Sequence, residues 1–169
     1  MDLRREIAQS HSKSQILRIV RYVGSNPERF KALINNYLTG PYRVTQKASW
    51  LISCCIEEHP ELMKPHFKKL LNFVDNEGVH DSIKRNTMRM LQFVEIPEKY
   101  KGQVIALSFN FLQNKKEAVA IKVFSMTVLS QIIQDQPDLK RELRLIIEDQ
   151  LPFSTPAFIS RSKKILRKL

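Results

Sequence analysis

Three stretches align without a gap: residues 44–56, VTQKASWLISCCI; residues 83–95, IKRNTMRMLQFVE; and residues 121–133, IKVFSMTVLSQII. Four columns are apolar: Val44, Ile83 and Ile121; Leu51, Met90 and Val128; Ile52, Leu91 and Leu129; and Cys55, Val94 and Ile132. These positions return to one side of a helix that turns once every ~3.6 residues, so each stretch predicts an amphipathic helix. A small residue recurs at Ala48, Thr87 and Ser125, where two helices can approach closely. The copies begin 39 and 38 residues apart, a spacing that marks a repeat architecture.

Prolines divide the intervening chain in the same rhythm. Pro27-Glu28, Pro60-Glu61, Pro97-Glu98 and Pro137-Asp138 each have a base four residues past the proline: Lys31, Lys64, Lys101 and Arg141. Proline suits the first turn of a helix, and an acid beside it faces the positive end of the helix dipole. Acid and base are three residues apart, so each pair is expected to meet on one helix face. Apolar residues follow at helical spacing: Phe30, Ile34, Tyr37 and Leu38; Met63, Phe67, Leu70, Leu71 and Val74; Tyr100, Val104, Leu107 and Phe111; Leu139, Leu143, Ile146 and Ile147. Each proline therefore opens the second helix of a pair.

Both ends of the array are weaker. Leu17, Ile19, Val20 and Val23 carry the first copy, and Phe158, Ile165 and Leu166 match the first-helix columns near the last residue. The expected architecture is all-α: a superhelix of about four helical pairs in one domain, residues 1–169. Its repeats are placed at 12–40, 41–78, 79–114 and 115–152, with a C-terminal capping helix at 155–169. A period of 33 to 40 residues with two helices per period resembles the HEAT/armadillo class of α-solenoids. The chain also resembles small bacterial HEAT-like proteins. Tetratricopeptide repeats keep a stricter period and a different signature.

The hydrophobic fraction of 43% supports a real core, and only 4 glycines punctuate the chain. The net charge is +11, which permits nucleic acid, anionic lipid or an acidic protein surface as partner. No apolar run approaches the ~20 residues of a membrane-spanning helix, and residues 1–6 lack the apolar core of a signal peptide, so a cytoplasmic location is expected. Cys54 and Cys55 are adjacent, point apart on a helix, and are expected as buried or half-buried thiols.

No phosphate-binding glycine loop, nucleophile elbow or metal-ligand spacing is legible, so neither catalytic residues, cofactor nor metal is expected. His11, His59, His66 and His80 read as structural or surface residues. Glu57, Glu58 and Glu61 read as solvated charge at a helix end.

The resemblance implies a non-catalytic scaffold whose second helices line a concave face, with Lys68, Lys69 and Arg144 at exposed positions. Trp50 aligns with the polar Arg89 and Thr127, which places it at the edge of the core stripe, either packed or presented to a partner. The unneutralised segment 160–169 presents Arg161, Lys164 and Lys168 as a polar capping face or an anion contact. A protein partner is the first expectation. Nucleic acid is the alternative, since HEAT-like DNA-alkylation-repair glycosylases cradle DNA in this fold. Those enzymes use aromatic residues with an acid in a basic cleft, and no catalytic residue of theirs is carried over to this chain. A continuous positive groove would favour nucleic acid, and a mixed or apolar one would favour protein.

Overall fold

The computed structural model describes residues 1–9 and 12–169, so the expectation for His11 lies outside the described residues. The chain forms two compact units, Met1–Val94 and Glu95–Leu169. Among the described residues both are helical, with no strand.

The first unit contains α1 (Leu3–Ala8), α2 (Lys13–Val23), α3 (Pro27–Thr39), α4 (Tyr42–Glu58), α5 (Phe67–Val74) and α6 (Asp81–Met90). Helix α1 lies outside the repeat pattern. Asp2 accepts a hydrogen bond from the Arg5 amide at 3.1 Å, and Leu3 and Ile7, one turn apart, are buried. In α2 the buried stripe is Ile16, Ile19, Val20 and Val23. The assignment of Leu17 to that stripe is corrected: it lies a helical step away from Ile16 and is 41% exposed. Helix α4 is enclosed by α1, α2, α3 and α6 and buries Val44, Ala48, Leu51, Ile52 and Cys55.

Two elements depart from expectation. Pro60–His66 is a 3₁₀ helix, and the α-helix of that repeat starts only at Phe67. Pro65 is the physical reason: it lacks the amide proton an α-helical turn needs and disfavours α geometry in the residue before it. In this tighter winding Glu61 approaches His59 Nδ1 at 3.7 Å instead of pairing with Lys64. The other three expected pairs form: Glu28–Lys31 at 3.9 Å, Glu98–Lys101 at 2.6 Å and Asp138–Arg141 at 3.7 Å. The stretch 83–95 is also shorter as a helix than its alignment suggests. It leaves α geometry at Met90, passes through a 3₁₀ turn at Leu91–Phe93 and is extended at Val94, which is only half-buried.

The second unit contains α7 (Glu98–Gln113), α8 (Val119–Ile132), α9 (Pro137–Gln150), a 3₁₀ turn (Leu151–Phe153) and α10 (Pro156–Leu166). Helix α8 packs against both α7 and α10. Its core joins Phe109, Leu112, Met126, Leu129, Leu143, Ile147, Phe158 and Ile165. Ile132 is half-buried and Ile133 fully buried, so the last aligned column is not uniformly core. Ser162 continues the small-residue column of Ala48, Thr87 and Ser125, and all four are buried. Its hydroxyl lies 3.8 Å from Met126 Sδ, at the close approach of α10 to α8.

The two thiols are free. Cys54 is half-buried and Cys55 fully buried. Burial pushes the Cys55 thiol up to about 12, with smaller contributions from Cys54 and Glu58.

Candidate functional site

In the first unit, α6 is pinned to α4 by polar side chains one helical turn apart. Asn86 Nδ2 donates to Ser49 Oγ at 2.8 Å, and Arg89 donates to Ser53 Oγ at 2.9 Å and pairs with the Glu57 carboxylate. These bonds satisfy buried polar groups that would otherwise be costly at a helix interface. They also engage Arg89 and Glu57, so that this acid of the helix-end group Glu57, Glu58 and Glu61 is paired across the two helices.

The neighbouring row of α4 is Arg43, Gln46, Lys47 and Trp50. With Ser82, Arg85 and Asn86 of α6 it lines a cleft of about 430 Å³. Trp50 is 38% exposed there, at the edge of the core stripe. Lys47 Nζ is committed elsewhere, donating to the carbonyl of Ala8 at 3.1 Å and to that of Gln9, and so closing the C-terminal end of α1. Arg43 and Arg85 are exposed, and among the described residues neither forms an ion pair. Arg43 stands in the first turn of α4, where the helix dipole adds to its positive potential. The lining contains no carboxylate.

In the second unit, a cleft of about 520 Å³ lies where the segment joining α7 to α8 meets the turn after α9. Its charge is mixed: Lys115 and Lys122 stand with Glu117 and Asp149. Val119 and the buried Phe158 supply apolar lining, and Phe153 stands at its margin, 92% exposed. Lys122 Nζ donates to Gln150 Oε1 at 2.9 Å, while Gln150 Nε2 donates to the Leu112 carbonyl, also at 2.9 Å. Burial lowers the Lys122 ammonium pKa, and the nearby Glu117 carboxylate opposes that shift.

The residues singled out from sequence fall in different settings. Trp50, on α4, and Lys68 and Lys69, on α5, belong to the first unit, and all three are exposed. Arg144 is not the open surface base expected. It is half-buried, donates to the Leu166 carbonyl at 3.3 Å and lies 3.6 Å from Glu148, so it closes the end of α10. On α10 Arg161 is half-buried, Lys164 is exposed, and Lys168 just beyond is exposed. Sequence reading finds Trp50 but misses Arg43 and Arg85. The signal within α4 is there: Arg43, Lys47 and Trp50 are spaced four and three apart, one helix face. Among the described residues no group of three His, Cys, Asp or Glu side chains is placed to hold a metal ion. No helix of theirs is long and apolar enough to cross a membrane.

Helical pairs of this period, with buried columns repeated from copy to copy, define an all-α helical-repeat protein. Residues 3–169 match a family described as a HEAT repeat domain, and the chain belongs to that family. Comparison with curated proteins and with solved structures finds no match.

Proposed function

We propose that this chain is a non-catalytic binding scaffold that offers its helical-repeat surface to a protein partner. The observation that carries the reading is Phe153. A phenyl ring that is 92% exposed sits on a short turn beside a cleft with both signs of charge and apolar side chains. Rings of this kind anchor protein interfaces by filling a partner's pocket, while a polar margin supplies orientation. The backbone of the turn is ordered before any partner arrives: the Ser154 amide donates to the Leu151 carbonyl at 3.3 Å, and Ser154 Oγ donates to the Gln150 carbonyl at 2.7 Å. A turn whose backbone is already ordered loses less entropy on binding.

The test is affinity capture from nuclease-treated extract of the source cell, with the wild-type chain and Phe153→Ser as paired baits. A protein retained by the first and lost from the second supports the reading. Retention that ignores the substitution, or no retained protein, overturns it. Because Phe153 is exposed, the substitution leaves the core untouched and the thermal melt unchanged.

A further inference from the structure

We infer that the cleft between α4 and α6 binds single-stranded nucleic acid, stacking one base on Trp50 and holding neighbouring phosphates with Arg43 and Arg85. This site is in the first unit and is independent of the reading built on Phe153. Three observations meet there. The lining is basic without a single carboxylate, so a polyanion gains attraction with no repulsive partner to displace. The two guanidinium groups have no ion pair among the described residues, so their donors are open to the bidentate contacts that phosphate accepts. An indole ring, 38% exposed, shares the same face.

The combination selects the ligand. A run of acidic residues would satisfy the arginines, but its own side chains offer no flat ring to the indole. A duplex carries phosphates, but its bases are stacked inside and unavailable. A single strand supplies both phosphates and free base faces. Arg43 and Trp50 are seven residues apart on α4, about 10 Å along the helix axis, so a base and an adjoining phosphate reach the two together. Gln46, partly buried beside them, adds an amide that can bond a base edge.

Trp50 is the only tryptophan, so its fluorescence reports on this cleft without a label. The full chain is titrated with oligothymidylate, and quenching is followed at several salt concentrations. Saturable quenching is expected. Trp50→Ala, measured by anisotropy of a labelled strand, should weaken binding by about 5- to 100-fold, the range for loss of one base–aromatic stack. The double substitution Arg43→Gln and Arg85→Gln should weaken binding and flatten the log–log salt slope by about 1.4, at ~0.7 per phosphate on a single strand. Changing Arg161, Lys164 and Lys168 to Gln should leave the slope in place. Trp50→Phe keeps a stacking ring and should retain most of the affinity, which separates loss of the contact from loss of fold. Equal binding of polyglutamate or of a duplex of the same length would overturn the proposal. So would equal quenching by uridine monophosphate at matched nucleotide concentration, or a salt slope that ignores Arg43 and Arg85.

Discussion

The imidazole of His66 is buried against Phe30, ring centroids 5.6 Å apart, and Nδ1 has no hydrogen-bond partner. Burial, then Lys69, then Lys31, lower its pKa, so the folded chain holds it neutral where an exposed histidine would take a proton. Above the unfolded value of ~6.5 both states are neutral and the site adds no pH-dependent cost. As pH falls through that value the unfolded chain gains a proton that the folded chain refuses, and stability declines until the lower folded pKa is reached. Urea midpoints should therefore fall between about pH 7 and pH 5, and His66→Leu should reduce that fall. An unchanged pH slope in the variant would show that His66 is not its source. Sequence reading gives His66 only a structural or surface role, because burial depends on what packs over a residue. Arg85 escapes for a related reason: it joins Trp50 only when α6 is laid against α4.

At the level of elements, the three aligned stretches mark α4 and α8 nearly whole, since each repeats its apolar face without interruption. What periodicity does not show is where backbone chemistry overrides it. Pro65 turns seven residues into a 3₁₀ helix, and the stretch ending near Pro97 leaves α geometry early. Helix α1 escapes because one turn with two apolar residues is too short to show a period. Two glycines test the packing with opposite signs. A Cβ on Gly40 would lie 2.4 Å from the Asn36 carbonyl oxygen and 2.8 Å from Val44 Cγ1, where α3 hands over to α4. Gly40→Ala must push backbone apart and should cost ~1–3 kcal/mol, as overpacking does. Gly102 lies inside α7, and a methyl group added there would meet nothing within 4 Å. Gly102→Ala should therefore stabilise by ~0.5–1 kcal/mol through reduced freedom of the unfolded chain. Urea midpoints moving in the same direction would sink this account.

Across the whole molecule, the repeat is a statement about equivalent burial. Ile52 in α4 and Leu129 in α8 occupy one aligned column, in different units, and both are fully buried. Equivalence in sequence would be a coincidence of spacing if the two residues did different work. If each is the centre of its own core layer, truncation removes similar contacts and leaves a similar hole. Ile52→Ala and Leu129→Ala should then each cost ~2–5 kcal/mol, the usual range for a large-to-small core change. Ile52 is measured by the urea midpoint of Trp50 fluorescence, since that ring reports on the first unit, and Leu129 by far-UV circular dichroism, which follows helix wherever it lies. Leu17 supplies the contrast. Its spacing suggests the same kind of stripe, yet it is 41% exposed, and Leu17→Ala should cost less than ~1 kcal/mol. A Leu129→Ala cost no larger than that of Leu17→Ala would mean that the aligned columns describe sequence spacing alone, and the equivalence of the repeats would have to be given up.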